Sequence, residues 1–165
     1  MKDSLFLNYL DEVKIVDGLI DFIKNIKNQG HAISIVTNCN STVAKSIIKH
    51  IGIERYIDFV TCANDTMRPK PYSDPYVYTM KKYYDKQANE CVIFEDSQTG
   101  ILSASGVNPL HVVGLSTFYD ENTLKAFGAD IVFDSFINKD IQQCLSTCTP
   151  PKILAEYIKS TILKD

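Results

Sequence analysis

The chain has 165 residues, enough for one domain with a core of its own and short for a two-domain enzyme. Its formal net charge of −3, without any basic stripe, excludes a broad nucleic-acid-binding face. The sequence shows no signal peptide and no apolar run of membrane length, which predicts a soluble, cytoplasmic protein that does not bind a membrane.

The five cysteines also favour the cytoplasm. They are scattered and odd in number, which is typical of a reduced protein without a disulfide framework. Cys62 and Cys91 lie in apolar runs, where a free thiol behaves as a small hydrophobic side chain. Cys144 and Cys148 lie four positions apart, but no second cysteine or histidine pair completes a zinc set.

The first half of the chain alternates helical patterns with short apolar runs. A helix ending near Gly30 is predicted from one apolar face: Leu19, Phe22, Ile23 and Ile26. A strand is expected over residues 32–36, and Asn40 or Ser41 can cap the following helix. The buried face of that helix is Val43, Ile47, Ile48 and Ile51. A second strand is predicted over residues 59–62.

The second half continues the alternation. Asp74, interpreted as a structural cap, opens a helix that runs to about residue 84. Three strands are predicted, at residues 91–94, 111–115 and 131–133, with a short helix from about Thr99. The unbroken apolarity of residues 91–94 indicates burial on both faces. Residues 151–165 read as an amphipathic helix. The sequence therefore predicts a single α/β domain over residues 1–165, a Rossmann-like three-layer sandwich with a mostly parallel sheet.

Five polar residues stand where a ligand site is expected. Ligands of such sheets bind beyond the carboxyl ends of the strands, and Thr37-Asn38 and Glu95-Asp96 each end a strand. Adjacent carboxylates repel each other unless a cation or hydrogen-bond donors compensate them, and Mg²⁺ prefers one or two carboxylates with waters and phosphate oxygens. With Lys70, these residues supply most of what a magnesium-dependent phosphoryl-transfer site needs.

Each of these motifs has a purely structural alternative. The dipole of a helix N-terminus also favours an acidic pair such as Glu95-Asp96. Thr37-Asn38 fits a helix-entry turn, and Lys70-Pro71 fits a solvated loop. The conjunction of the three motifs, rather than any one of them, favours the functional interpretation.

The order and spacing of the three motifs resemble the haloacid dehalogenase-like hydrolase superfamily, in particular its beta-phosphoglucomutase and phosphoglycolate phosphatase branch. The motifs are Thr-Asn after a strand, Lys-Pro-Tyr-Ser-Asp-Pro-Tyr opening a helix, and Val-Ile-Phe-Glu-Asp-Ser-Gln-Thr-Gly ending a strand. The resemblance extends from about residue 16 to residue 133.

The resemblance implies a role for each of the five residues. Thr37, assisted by Asn38, would hydrogen-bond the transferring phosphoryl group, and Lys70 would neutralise charge between phosphate and nucleophile. Asp96 would hold Mg²⁺, with Glu95 as second ligand or water anchor. The implied activity is that of a phosphatase or phosphomutase acting on a small phosphorylated metabolite.

The sequence departs from the family pattern near its N-terminus. The family's nucleophile lies in an Asp-x-Asp-Gly-Thr motif on an early strand, and no Asp-x-Asp precedes Thr37. Residues 16–19 fit instead the turn that returns from the cap domain, which makes residues 1–12 the remnant of a cap helix. The resemblance therefore implies a core lacking its first strand, its nucleophile and most of its cap. We expect weak or absent catalysis by this chain alone.

The same departure raises a structural question. The family's first strand lies in the sheet centre, between the strands that carry Thr37 and Glu95. Without it, the sheet must close up, recruit another segment, or pair with another chain. Three hypotheses follow: a phosphatase or phosphomutase whose N-terminal part lies outside this sequence, a pseudoenzyme that binds phosphate or Mg²⁺, and a subunit completed by a partner or as a homodimer.

Overall fold

The protein folds around one six-stranded parallel sheet. The structure is a computed structural model that describes residues 10–84, 87–146 and 153–156. The strands are β1 (Ala32–Val36), β2 (Phe59–Thr61), β3 (Cys91–Glu95), β4 (His111–Leu115), β5 (Ile131–Phe133) and β6 (Ile153–Glu156). Their order across the sheet is β2-β1-β6-β3-β4-β5, and every neighbouring pair is parallel.

Six α-helices accompany the strands in the described ranges. They are α1 (Leu19–Asn28), α2 (Ser41–His50), α3 (Asp74–Thr79), α4 (Gln98–Ser105), α5 (Glu121–Phe127) and α6 (Gln143–Ser146). A π-helical turn, Met80–Tyr84, continues α3. Short 3₁₀ turns occur at Leu10–Glu12, Glu54–Tyr56, Ala63–Asp65, Ala88–Glu90 and Lys139–Gln142. Among these helices none is long and apolar enough to cross a bilayer.

The helices cover both faces of the sheet and so confirm the predicted three-layer α/β class. On one face α1, α2 and α6 pack in a single apolar cluster with Phe94 and Phe136. On the other, α3, α4 and α5 contribute Tyr76, Ile101 and Leu124 to a second cluster. Successive side chains of a strand point to opposite faces, so β3, whose five residues are all buried, feeds both clusters.

Several predicted local features are confirmed. Both apolar faces predicted for α1 and α2 are buried: Leu19, Phe22, Ile23 and Ile26 in one, and Val43, Ile47, Ile48 and Ile51 in the other. Of the two candidate caps of α2, the structure selects Asn40, whose side chain accepts a hydrogen bond of 2.9 Å from the Val43 N–H. Asp74 is not a cap, because the N-cap position is Ser73, and Asp74 instead accepts a hydrogen bond of 2.9 Å from Arg68 Nε.

The predictions for the two ends of the chain are not confirmed by the described residues. The helix predicted over residues 151–165 is wrong for Ile153–Glu156, which form strand β6, and the rest of that segment lies outside the described residues. A segment as short as Ile-Leu-Ala-Glu fits either a helix or a strand, and here pairing with two strands makes it a strand. Most of the predicted cap-helix remnant, residues 1–9, also lies outside the described residues, and Leu10–Glu12 form a 3₁₀ turn.

Strand β6 fills the central position of the sheet. It pairs with β1, where Ala32 is level with Ile153 and Ile35 with Glu156, and with β3, where Phe94 is level with Glu156. Of the three ways expected to complete the sheet, recruitment of another segment is the one realised. The backbone groups of β1 and β3 that would otherwise face an empty slot thereby face a paired strand.

Candidate active site

The centre of the candidate site is the ammonium group of Lys70. Its Nζ donates a hydrogen bond of 2.8 Å to the Val36 carbonyl, at the end of β1, and another to Glu95 Oε1, at the end of β3. The side chains of Lys70 and Glu95 are 2% and 0% exposed. A buried lysine thus links the carboxyl ends of two strands that are not neighbours in the sheet.

Asn38 fixes the backbone of that lysine. Its Nδ2 donates to the Lys70 carbonyl at 3.2 Å, and its Oδ1 accepts from the Lys70 N–H at 3.1 Å. These two hydrogen bonds join the loop after β1 to the loop before α3. Three of the five predicted residues, Asn38, Lys70 and Glu95, therefore form one hydrogen-bonded unit.

Of the two carboxylate oxygens of Glu95, only Oε1 is hydrogen-bonded among the described residues. Tyr76, buried on α3, donates its hydroxyl to the same Oε1 that Lys70 binds. The other oxygen, Oε2, is buried without a hydrogen-bond partner among the described residues. It lies against Gly100 of α4, where an added Cβ would stand 1.9 Å from it. Gly100 therefore provides the space that the carboxylate occupies.

Thr37 and Asp96 flank this unit. Thr37 is 5% exposed and its Oγ1 accepts a hydrogen bond of 3.0 Å from the Cys39 N–H, which leaves the hydroxyl proton available to a ligand. Asp96 is 3% exposed, and Thr117, in the loop after β4, donates to its Oδ2 at 3.4 Å. Both follow the last residue of a strand, so all five predicted residues lie at one edge of the sheet.

Electrostatics sets what this arrangement can do. Two charges removed from water are costly unless they are paired and hydrogen-bonded, and Lys70 and Tyr76 provide this pairing at Oε1 of Glu95. A fixed cation at the carboxyl edge of a parallel sheet can stabilise negative charge on a bound anion, because no reorganisation is needed when the anion arrives.

Magnesium can be tested against the donors present. Adjacent carboxylates with an unpartnered buried oxygen on Glu95 suit a cation that takes one or two carboxylates and completes its shell with waters and phosphate oxygens. Among the described residues no three His, Cys, Asp or Glu side chains converge, so a protein-only cage of the kind that binds zinc is absent there. The carboxylate oxygens of Glu95 and Asp96 therefore fit Mg²⁺ better than they fit a structural zinc ion.

Two contacts of the site carboxylates, made by Tyr76 and Thr117, were not predicted from the sequence. Tyr76 lies in the helix predicted to begin at Asp74, and nothing in the local sequence shows that its hydroxyl reaches Glu95 on β3. Thr117 carried a usable signal, because it lies two residues beyond the end of β4, at the edge where polar side chains meet.

Cys62, next to the site region, behaves as the sequence predicts. Burial, aided by the neighbouring Asp65 carboxylate and Cys39, raises the pKa of the Cys62 thiol to about 11. We expect iodoacetamide at pH 8 to alkylate the half-buried Cys39 in the native protein and to leave Cys62 unmodified, since the thiolate is the reacting form. Mass spectrometry of peptides from native and urea-unfolded samples checks this; equal labelling of Cys62 in both samples would contradict it.

Comparison with known families now fixes the class of protein. Residues 4–112 match the family model of haloacid dehalogenase-like hydrolases, which is well over half of the 165-residue chain. The chain therefore belongs to the haloacid dehalogenase-like hydrolase family, as the three motifs indicated.

Several curated relatives carry phosphatase or phosphohydrolase names. Glycerol-1-phosphate phosphohydrolase 2 of Saccharomyces cerevisiae is 29% identical over 60% of this chain and 41% of its own length. Phosphoglycolate phosphatase of Colwellia psychrerythraea is 26% identical over 76% of this chain and 55% of its own. Fructose-1-phosphate phosphatase YqaB of Escherichia coli is 28% identical over 52% and 45%. The chain thus spans about half the length of the curated relatives it matches.

Solved structures share the fold. A family IA, variant 3 hydrolase from Entamoeba histolytica superposes with a TM-score of 0.77 at 23% identity, covering 87% of this chain and 66% of that one. CbbY from Rhodobacter sphaeroides, solved with phosphate, gives 0.72 at 24% identity over 82% and 61%. Beta-phosphoglucomutase from Clostridium difficile gives 0.70 at 22% over 86% and 62%.

Proposed function

We propose that this chain carries the phosphate- and magnesium-binding part of a phosphoric monoester hydrolase or phosphomutase site. The ligand is a small phosphorylated metabolite, and the site lies at the carboxyl edge of the sheet. Thr37 and Asn38 contribute a hydroxyl and an amide to the phosphoryl group, and Lys70 contributes the positive charge. The phosphatase names of the curated relatives support this substrate class, and the cytoplasm, which holds such metabolites, is the proposed location.

The observation that carries the proposal is the buried bridge made by Lys70. Lys70 links the ends of β1 and β3 through a carbonyl and a carboxylate, and Asn38 holds its backbone. Placed this way, the ammonium group is fixed beside the strand ends at which ligands of α/β sheets bind. Preorganised charge of this kind stabilises the additional negative charge of a phosphoryl-transfer transition state.

Magnesium would be held by Asp96, with Glu95 as a second ligand through Oε2 or as an anchor for a metal-bound water. When bound, the ion supplies charge neutralisation of the phosphoryl oxygens. The residues of the chain do the rest: Lys70 and Tyr76 hold Glu95 in one orientation, and Thr117 orients Asp96.

The proposal includes weak or absent turnover by this chain alone. The covalent route of the family needs an attacking carboxylate, and no Asp-x-Asp motif precedes Thr37. Positioning and charge stabilisation then favour binding over hydrolysis. A catalytically inactive module that binds phosphate and Mg²⁺ is therefore the second candidate function, and a homodimer or partner chain that supplies the missing carboxylate is the third.

Hydrolysis of an aryl phosphate separates these candidates. The assay compares the chain with Asp96→Asn, with and without Mg²⁺. We expect turnover that is close to background in both proteins, with binding of inorganic phosphate by the unmodified chain. Mg²⁺-dependent turnover that disappears in Asp96→Asn would instead show that another carboxylate acts as nucleophile. Absence of both turnover and phosphate binding would contradict the proposed site.

A further inference from the structure

We propose that strand β6 is a positioning element: by filling the slot between β1 and β3, it sets the spacing at which Lys70 bridges the two halves of the site. One half, β2 and β1, carries Thr37 and Asn38; the other, β3 to β5, carries Glu95 and Asp96. Within the described sheet β6 is the strand that joins them. The importance of this spacing for phosphate binding rests on the function proposed above, whereas the spacing itself does not.

The spacing follows from sheet geometry. Neighbouring strands lie about 4.8 Å apart, so a strand between β1 and β3 holds them about 9.6 Å apart. Direct pairing of β1 with β3 would halve that distance. The gap that Lys70 spans, from a carbonyl on one strand to a carboxylate on the other, exists because β6 keeps the two strands apart.

The directions of the backbone groups support this assignment. The Thr37 N–H bonds to the Thr61 carbonyl of β2, so the carbonyl of the preceding residue, Val36, faces the other way, into the slot. The register pairs Ile35 and Phe94 with Glu156, the last residue of β6. Val36 and Glu95 therefore stand one residue beyond the end of β6, and Lys70 Nζ binds both of them there. The ammonium group thus lies at the end of the slot, one residue beyond the last described pair of β6.

The same alternation identifies amides that report on β6 and amides that do not. The Ile33 carbonyl accepts a hydrogen bond from the Asp58 N–H, on the β2 side. The backbone N–H and C=O groups of Ser34 therefore point into the slot, and those of Ile35 point towards β2. The Cys91 carbonyl bonds to Leu110, on the β4 side, so Phe94 faces the slot and Ile93 faces β4. In each strand, one amide therefore reports on pairing with β6, and the amide next to it in sequence serves as the control.

Amide hydrogen exchange followed by NMR tests the pairing in the complete chain. In the unmodified protein we expect Ser34 and Phe94 to be protected as strongly as Ile35 and Ile93, because both sides of each strand are paired. In Ala155→Pro, which removes a backbone donor from the centre of β6, Ser34 and Phe94 lose protection while Ile35 and Ile93 keep it. Ala155→Ser retains the donor and serves as the matched control.

Acylation of Lys70 tests the positioning role without any ligand. The side chain of Lys70 is 2% exposed, so a water-soluble amine reagent should not modify it in the unmodified chain or in Ala155→Ser. In Ala155→Pro it should become reactive under conditions in which Ile35 and Ile93 remain protected, a result that loss of stability alone does not produce.

Two outcomes would overturn the proposal. One is fast exchange of Ser34 and Phe94 in the unmodified chain, a measurement that stands even if the proline variant fails to fold. The other is a Lys70 that stays unreactive in a folded Ala155→Pro protein. Failure of the unmodified chain to bind phosphate would instead refute the proposed function and leave both of these readouts decisive for β6.

Discussion

Replacing Lys70 by methionine is expected to lower the free energy of unfolding by about 3–5 kcal/mol, the usual cost of removing one partner of a buried ion pair. Methionine keeps most of the side-chain volume but leaves the carboxylate of Glu95 fully buried without its counter-ion. The Val36 carbonyl also loses its donor. Urea denaturation with m-values checked for constancy measures the change.

Two controls distinguish the lost charge from the lost packing. Lys70→Met combined with Glu95→Gln removes both charges and keeps an acceptor for Tyr76, so it should recover much of the stability lost in the single variant. Lys125→Met breaks the half-exposed pair with Glu121 and should cost less than about 1 kcal/mol. A Lys70→Met protein as stable as Lys125→Met would contradict a buried ion pair at the centre of the site.

The second large effect is expected from Gly100→Ala. The added Cβ would stand 1.9 Å from Glu95 Oε2 and 2.3 Å from its Cδ, far inside van der Waals contact. The carboxylate has little freedom to move away, because Lys70 and Tyr76 hold Oε1. We expect a loss of about 3 kcal/mol in the free energy of unfolding, the upper end of the usual cost of overpacking, although alanine is the better helix former.

Thr99→Ala provides the matched control for Gly100→Ala. Thr99 is the preceding residue of the same helix and its side chain is exposed, so alanine there should leave the stability nearly unchanged. If Gly100→Ala unfolds at the same urea concentration as Thr99→Ala, the carboxylate of Glu95 does not occupy the space beside Gly100.

Most of the sheet could be predicted because a strand buried on both faces is an unbroken apolar run, which is visible in the sequence. Residues 91–94 form an unbroken apolar run, and the structure extends that strand by one residue to Glu95, a carboxylate that is buried because Lys70 neutralises it. Helix α5 was not predicted. Of its seven residues only Leu124 is fully buried, so it has no apolar periodicity to recognise.

Strand β6 could not be predicted from its own residues. Ile153, Leu154, Tyr157 and Ile158 have the spacing of an amphipathic helix, and a short apolar run does not distinguish helix from strand. What decides its conformation is a slot between β1 and β3, two strands separated in sequence from it and from each other. Such non-local pairing has no local signal, although the need for a strand at that place followed from the family resemblance.

For the candidate site, too, one part could be predicted from the sequence and another part could not. Thr37, Asn38, Lys70, Glu95 and Asp96 were recognisable because motif spacing and strand ends are properties of the sequence. The hydrogen bonds that connect them were not, since Tyr76 reaches Glu95 and Asn38 reaches Lys70 only once the loops are folded over the sheet.

The proposed function requires the carboxyl edge of this sheet to bind Mg²⁺ through Asp96, and a calorimetric titration with Mg²⁺ tests this requirement most directly. Asp134 follows β5 at the same edge and is exposed, so Asp134→Asn is the matched loss of one carboxylate. We predict a single binding event in the unmodified chain and in Asp134→Asn, and its disappearance in Asp96→Asn. Equal Mg²⁺ affinity in all three proteins, or no binding in any of them, would contradict the assignment.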